Sequence, residues 1–278
     1  MKQTLTTDLV FDPLLIEAAN RAFHDLADRR DTLDPSLMAD RISELGFDQA
    51  LADPLAGDAW PDAACILRAQ ARAALPFDMA AWLVLGDRRL ASASRAEAYR
   101  VQRPGWLGEA APALVRPGMT LARCLQISAA IESAIDLAIR YVQDRQQFGR
   151  PLARFQAVQQ QLAVAAEESA ACTTVTDFAL AAVHRHGLLD ERVRPLLMAA
   201  ALVTAGAVPV CTDATHQVHG AMGFTREYPL HRYSLDMMHW RDELLYAQHG
   251  DMRCAETLGT MAIAAGGLWP FITDTMQT

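Results

Sequence analysis

The chain has 278 residues, 51% of them apolar, so it is long enough and apolar enough to bury a substantial core. Its formal net charge is −8, with acidic and basic residues mixed along the chain, which argues against a nucleic-acid surface and against a polybasic arm. Residues 1–13 lack the apolar stretch of a signal peptide, and the longest apolar run, 198–210, is shorter than the roughly 18–20 residues of a membrane span. Five scattered cysteines without Cys-x-x-Cys spacing favour a reducing compartment. We therefore expect a cytoplasmic protein that binds neither nucleic acid nor membrane.

Helix signals follow one another along most of the chain. Asp12-Pro13 and Asp34-Pro35 each combine a capping carboxylate with a proline at the first helical position, and so predict two helix starts. Apolar periodicity predicts two more helices, over 62–75 and 77–85. From 91 to 118 this signal lapses, and glycine and proline punctuate the sequence, which indicates irregular structure.

The most organised stretch begins at Leu121. Apolar residues return every three or four positions as far as Val142 and predict a long amphipathic helix. Arg145, Phe148 and Gly149 then stand where the helix ends. A guanidinium beside a glycine can bind a diphosphate through two hydrogen bonds, and the Phe148 ring can stack on a ring of the ligand. The same residues also fit an ordinary helix end in which Phe148 is a hydrophobic plug.

Three more helices are predicted downstream. They cover 155–186, 196–216 with a kink at Pro209, and 241–264, after which we expect the tail to fray. His216 and His219 are three residues apart but have no second ligand pair with metal spacing, so no metal site is expected.

The second segment that could carry chemistry is Gln217–Phe224. Its two glycines permit close approach of the backbone to a ligand, and the Gln217 amide can both donate and accept a hydrogen bond. A glycine pair of this kind also marks an ordinary helix stop.

These two segments resemble the sequence motifs of the flavin-dependent acyl-CoA dehydrogenase family. The resemblance is strong from about Gly118 to Met238 and weaker from Leu26 to Gly86. The matching residues are Tyr141-x-x-x-Arg145-x-Gln147-Phe148-Gly149-x-Pro151-x-x-x-Phe155-Gln156 and Gln217-Val-His-Gly220-Ala-Met-Gly223-Phe224-Thr225-x-Glu227-Tyr228-Pro229-Leu230.

The resemblance implies an all-α fold, an acyl-CoA-dehydrogenase-like helical bundle. It divides the chain into an N-terminal helical domain over 1–95, a linker over 96–118 and a C-terminal four-helix-bundle domain over 119–278. Full-length members of the family carry a β-barrel domain where the helical signal lapses. Fewer than thirty residues are present there, too few for the strands of a barrel. We therefore expect a short subunit that lacks the middle β-domain.

The resemblance also implies a cofactor site for FAD, whose adenosine diphosphate half would lie at this chain while a partner subunit binds most of the flavin. Ala221 replaces the second glycine of the family motif and so alters this contact. The residues expected to touch the cofactor are Arg145, Gln147, Phe148, Gln156, Gln217, His219, Gly220 and Ala221.

One carboxylate is a candidate for the catalytic base. In the family a carboxylate removes the α-proton of the substrate while the β-hydrogen leaves as hydride to the flavin. Counting from Phe224, the usual position of this base falls on Leu244, with Glu243 one residue earlier, a rotation of about 100° on a helix. The other base position known in the family matches Thr120, which cannot serve. The alternative interpretation of Glu243 is an exposed carboxylate near Arg241.

As a whole, the resemblance implies α,β-desaturation of an acyl-CoA thioester. This chain would act with a full-length acyl-CoA dehydrogenase subunit, or by self-association, and would pass electrons to electron-transfer flavoprotein. By analogy with paired unequal subunits of the family, the acyl group would be bulky and steroid-like. Two alternatives stay open at this point: a non-catalytic helical scaffold without flavin, and a self-sufficient homo-oligomeric enzyme that uses Glu243.

Overall fold

A computed structural model describes residues 9–29, 34–86, 115–247 and 251–277, and these residues are almost entirely helical. Two very short strands, β1 (Gln146–Gln147) and β2 (Arg150–Pro151), accompany the helices within these ranges. The predicted all-α fold class is confirmed. The described helices are α1 (Pro13–Asp28), α2 (Pro35–Glu44), α3 (Trp60–Arg72), α4 (Met79–Leu85), α5 (Val115–Asp144), α6 (Gln156–His186), α7 (Val193–His219), α8 (Leu230–Ala247), α9 (Asp251–Ala264) and α10 (Leu268–Gln277), with single 3-10 turns at Phe47–Gln49, Gly57–Ala59, Leu152–Arg154 and Gly220–Phe224.

The first two helices begin at the predicted capping residues. The Asp12 carboxylate accepts a hydrogen bond from the backbone N–H of Leu14 at 2.8 Å, and Asp34 accepts one from Ser36 at the same distance. In both helices proline occupies the first turn, where its missing N–H costs nothing. These two predictions are confirmed.

Helix α5 is the central element of the bundle. It packs against α3, α6, α7 and α8, and every residue from 118 to 131 is buried. Its last nine residues, 136–144, expose the predicted polar face. The expectation of one apolar stripe therefore holds only for this end of the helix, because neighbours surround residues 118–131 on all sides.

One large hydrophobic core runs through most of the described part of the chain, and a small second cluster lies apart from it. The large core joins Phe23 and Trp60 of the N-terminal helices to Leu121 and Leu180 of the longer ones. The predicted linker, 96–118, lies outside the described residues except for 115–118, which form the first turn of α5. The division into two helical domains stays a prediction.

The C-terminal helices differ from their predicted bounds. The predicted helix 241–264 is wrong, since α8 already starts at Leu230 and a separate helix, α9, starts at Asp251. Pro229, directly before α8, has the fixed φ that suits a helix start, and Leu230, Met237 and Leu244 follow at heptad spacing on its buried face. The tail that was expected to fray forms α10.

Helix α7 is apolar and long enough to cross a membrane by composition alone, with a mean hydropathy of 1.8 over its most apolar window. Of that window, 61% is buried inside the bundle, where α7 packs against α5 and α6. Its hydrophobicity is that of a core helix, and it continues through Pro209 without ending.

Candidate functional site

The chain forms a tight hairpin where α5 ends. β1 pairs with β2 in antiparallel register, with Gln147 opposite Arg150, and Phe148 and Gly149 form the two-residue turn. Both turn residues have positive φ, 55° and 78° respectively, as the type I′ turn of a two-residue hairpin requires. The first motif is therefore a projecting loop with its own backbone pairing.

Phe148 is strained and exposed at the tip of this hairpin. Left-handed backbone geometry costs a residue other than glycine roughly 1–2 kcal/mol. The side chain is 89% exposed, so the alternative interpretation as a hydrophobic plug is wrong. Among the described residues, its ring meets only the edge of Phe155, at 6.0 Å between centroids, while the Arg150 guanidinium covers Phe155 from 4.2 Å. A strained aromatic residue that buries almost nothing in its own chain indicates a role outside that chain.

Replacing Phe148 by glycine tests that interpretation. We expect Phe148→Gly to change the free energy of unfolding of the isolated chain by less than about 0.5 kcal/mol, because relief of strain offsets the added freedom of the unfolded chain. Phe148→Val should instead cost about 1–2 kcal/mol, since a β-branched residue fits positive φ worst. Urea unfolding of both variants measures this. Equal destabilisation by glycine and valine would show that the phenyl ring itself stabilises the fold.

The second motif lies at the C-terminal end of α7. Gly220 ends the helix with φ of 59° and donates its N–H to the carbonyl of His216. In the following turn the side chain of Phe224 is 73% exposed. A cavity of about 660 Å³ opens beside this turn, and its lining residues are Gln160, Gln161, Val164, Asp213, Ala214, His216, Gln217, Gly220 and Phe224.

The two glycines of this motif have different reasons to be glycine. A Cβ at Gly220 would meet no atom of the described residues within 4 Å, so its positive φ is what requires glycine. A Cβ at Gly223 would come within 3.1 Å of the His219 Cβ and 3.2 Å of the His216 Nδ1. Gly223 thus allows close packing inside the chain and does not serve the approach of a ligand.

The structure brings the two motifs to the same end of the bundle. Tyr141, one turn before the hairpin, stacks on His219 with 4.4 Å between ring centroids. Val142 and Val218 belong to one small apolar cluster under the hairpin. Seven of the eight residues expected to touch the cofactor are exposed there, namely Arg145, Gln147, Phe148, Gln156, Gln217, Gly220 and Ala221.

His219 is the exception among the eight. Its side chain is buried, and its Nδ1 lies 2.6 Å from the carbonyl oxygen of Thr215, to which it donates its proton. Burial lowers the pKa of His219 below its ordinary value, so the ring is neutral at physiological pH. Its Nε2 is buried and has no hydrogen-bond partner among the residues that the structure describes.

The exposed groups fit one side of a nucleotide. Arg145 has no ion pair within the part of the chain that the structure describes, and its guanidinium is free to bind a diphosphate bidentately. Phe148 and Phe224 are exposed, although the Phe224 ring also lies 4.6 Å from the His216 ring, and Gln147 and Gln217 present amides. This surface is open, so most of any ligand held here would be enclosed by another molecule.

The candidate base, Glu243, lies elsewhere and is part of a buried ion cluster. Its Oε2 accepts a hydrogen bond from Arg123 Nε at 2.6 Å, and Arg123 also binds both oxygens of Asp78 at 2.8 and 2.7 Å. Side-chain exposure is 1% for Arg123 and 10% for Glu243. The interpretation of Glu243 as an exposed carboxylate near Arg241 is therefore wrong, and Arg241 instead lies 3.6 Å from Asp242.

Further polar groups complete the cluster around Arg123. Gln126 accepts from Arg123 Nη1 at 2.7 Å and donates to Gln70 at the same distance, and His239 Nε2 lies 2.9 Å from Glu243 Oε1. Burial alone would lower the pKa of Arg123, but the two carboxylates more than offset it and hold the pKa above its ordinary value. The cluster was not predicted from the sequence, although the arginine in the apolar part of α5 was a signal, because a buried guanidinium requires partners.

The ion cluster and the exposed motif surface are far apart. Arg123 and Arg145 are 22 residues apart on or directly after α5, which at 1.5 Å per residue is about 33 Å along the helix. Leu244, at the usual base position, is buried in the core, and so is Thr120. The structure thus unites the predicted cofactor residues with one another but not with the candidate base.

Comparison with known proteins identifies this arrangement of long helices. Residues 119–241 match the family described as acyl-CoA dehydrogenase, C-terminal domain. Benzylmalonyl-CoA dehydrogenase of Aromatoleum aromaticum is 38% identical over 109 residues, 38% of this chain but 27% of the relative. Residues 119–241, a little under half of the chain, thus resemble the C-terminal domain of acyl-CoA dehydrogenases, as the motifs predicted, and the segment matched to the curated relatives spans about a quarter of their length.

Solved structures share the fold over nearly the whole chain. A variant of the Tcur3481-Tcur3483 steroid ACAD aligns with a TM-score of 0.70 at 18% identity, over 95% of this chain and 99% of that one. A chain of the ChsE4-ChsE5 complex from Mycobacterium tuberculosis aligns with a TM-score of 0.67 at 14% identity, over 91% and 98%. The predicted acyl-CoA-dehydrogenase-like helical bundle is confirmed.

Proposed function

We propose that this chain is a subunit of an FAD-dependent acyl-CoA dehydrogenase complex, in which it completes the FAD site of a full-length partner subunit. The open surface formed by Arg145, Phe148 and Gln217 supports this function. Its side chains can bind a dinucleotide but can enclose only one side of that ligand. The strained, exposed Phe148 speaks against a scaffold that has lost flavin, since such a scaffold has no need of the strain.

The residues of this chain act by binding and positioning. The Arg145 guanidinium would form charge-assisted hydrogen bonds to the diphosphate, the Gln217 amide would bind polar atoms beside it, and Phe148 would shield one face from water. When bound, FAD supplies the acceptor for the hydride that leaves the β-carbon of the acyl-CoA.

In this proposal the partner subunit supplies the base. A general base must come within hydrogen-bond reach of the proton that it removes. Glu243 is committed to Arg123, its side chain is 10% exposed, and it lies far from the motif surface. A self-sufficient enzyme that uses Glu243 would first have to break this ion pair.

Turnover by two variants of the complex tests the assignment. We expect Glu243→Gln to leave the rate of acyl-CoA oxidation within about two-fold of wild type, because a base at this position would be worth about 10²–10⁴-fold. Replacing the partner's own active-site carboxylate should abolish turnover. Asp242→Asn, at the exposed neighbouring position, controls for loss of a charge on α8. A hundred-fold loss in a folded Glu243→Gln complex would make Glu243 the base.

The substrate and partners follow from the same proposal. The titles of the ChsE4-ChsE5 and Tcur3481-Tcur3483 structures each name two components, and the second title calls its protein a steroid ACAD. We propose a bulky, steroid-like acyl-CoA as substrate, a hetero-oligomer with a full-length acyl-CoA dehydrogenase subunit, and electron-transfer flavoprotein as acceptor, in the cytoplasm.

A further inference from the structure

Three aromatic rings pack together behind the exposed surface of the candidate site, and two of them, Tyr141 and His219, are stacked. The Tyr141 and His219 rings are 4.4 Å apart with 29° between their planes, and Tyr228 lies 4.8 Å from His219 and 5.8 Å from Tyr141. Tyr141 comes from the last turn of α5, His219 is the last residue of α7, and Tyr228 precedes α8. The three rings therefore join the three chain segments that border the site.

The hairpin rests on an apolar cluster that is separate from the main core. Its fully buried members are few, and the bundle does not depend on them for its principal contacts. Loosening this cluster should therefore free the hairpin while the bundle stays folded. The buried members are Ala138, Val142 and Val218, with Tyr141, Leu152, Ala153, Val158 and Leu162 packed against them.

The burial of His219 decides what it can do for the site. Only 3% of the residue is exposed, Nδ1 donates to Thr215 of its own helix, and Nε2 has no partner in the described part of the chain. The remaining contact surface of His219 is the face of its ring, and Tyr141 stacks on that face. A hydrogen bond from His219 to a molecule on the surface would require the stack to open.

We propose that His219 is a positioning residue, whose ring holds the 145–151 hairpin in place against the Gln217–Gly220 turn without touching the cofactor. The two halves of the surface are then set at a fixed spacing before any ligand arrives. This inference rests on the proposed function for its ligand, but the positioning itself is a property of the isolated chain.

Two substitutions at His219 separate positioning from direct contact. His219→Phe keeps a ring in the stack and removes both nitrogens, whereas His219→Ala removes the ring. In the complex with the full-length partner, we expect His219→Ala to weaken FAD binding about ten-fold and His219→Phe to restore it to within about two- to three-fold of wild type. Equal loss in both variants would overturn the inference, because it would assign the effect to a nitrogen.

Trypsin cleavage of the isolated chain gives a readout that does not need FAD. Arg145 and Arg154 are exposed cleavage sites on either side of the hairpin, and the Arg150-Pro151 bond resists trypsin. We expect His219→Ala to speed cleavage after Arg145 and Arg154 several-fold, with His219→Phe near wild type. Unchanged cleavage in His219→Ala would refute the positioning role. If the wild-type complex lacks FAD while cleavage follows the expected order, the proposed function fails and the positioning role stands.

Leu180→Ala is the control for general loss of stability. Leu180 is fully buried in the main core on α6, 24 residues and about 36 Å along that helix from Gln156. This variant should lower the melting temperature at least as much as His219→Ala and leave both FAD binding and hairpin cleavage unchanged. If Leu180→Ala also releases FAD and speeds cleavage of the hairpin, His219 has no special role.

Discussion

Arg123→Ala should lower the free energy of unfolding by about 3–5 kcal/mol, because it leaves two buried carboxylates without a counter-charge. Asp78 and Glu243 both bind the Arg123 guanidinium, which is 1% exposed. These contacts connect the start of α4 and helix α8 to the N-terminal half of α5. Urea unfolding monitored by circular dichroism measures the loss.

The matched control is the exposed ion pair of Arg72 and Glu132, at 3.2 Å. Arg72→Ala removes the same charge from a pair that water screens, and should cost less than about 1 kcal/mol. The triple variant Arg123→Met, Asp78→Asn, Glu243→Gln should recover part of the stability, since it buries no unpaired charge. If Arg123→Ala lowers the free energy of unfolding no more than Arg72→Ala does, the cluster contributes little to stability. Glu243 could then leave Arg123 and act as a base.

Arg145→Ala should weaken FAD retention by the assembled complex by about 1.5–3 kcal/mol, or roughly 10–150-fold, because it removes a charge-assisted contact to the diphosphate. Arg145 is exposed and belongs to no ion pair among the described residues, so the isolated chain should unfold as wild type does. Flavin absorbance of the purified complex, relative to protein, measures retention after gel filtration.

Arg140→Ala provides the charge-matched comparison for Arg145. Arg140 is exposed near the end of α5, five residues before Arg145. At about 100° per residue, its side chain points about 140° away from that of Arg145 around the helix axis. Its removal changes the net charge equally but leaves the hairpin intact, and FAD retention should not change. Wild-type retention in Arg145→Ala, or equal losses in both variants, would contradict a specific diphosphate contact.

Features with a local cause could be predicted from the sequence. The capping of α1 by Asp12 depends on residues two positions apart, and the end of α5 depends on the residues that follow it. The hairpin was not predicted, because its turn places Phe148 at a positive φ where asparagine or aspartate is the usual signal. The family motif indicated residues that the fold brings to one surface, without giving their conformation.

Features that depend on distant residues could not be predicted in the same way. Glu243 binds Arg123 across 120 residues of sequence, and periodicity on α8 gives no sign of that partner. His219 carries a motif position yet is buried, because Tyr141 from another helix covers its ring. In both cases burial by a neighbouring helix decided what the side chain can do.

In the proposed complex this chain supplies one side of an FAD site and a partner subunit supplies the rest. The visible absorption spectrum tests it most directly, recorded on the purified chain alone and after co-expression with a full-length acyl-CoA dehydrogenase from the same genome. We expect a flavin spectrum only from the co-purified pair, with the isolated chain colourless. A flavin spectrum from the chain alone would contradict the shared site, and a colourless pair would contradict an FAD role for the Arg145 and Gln217 surface.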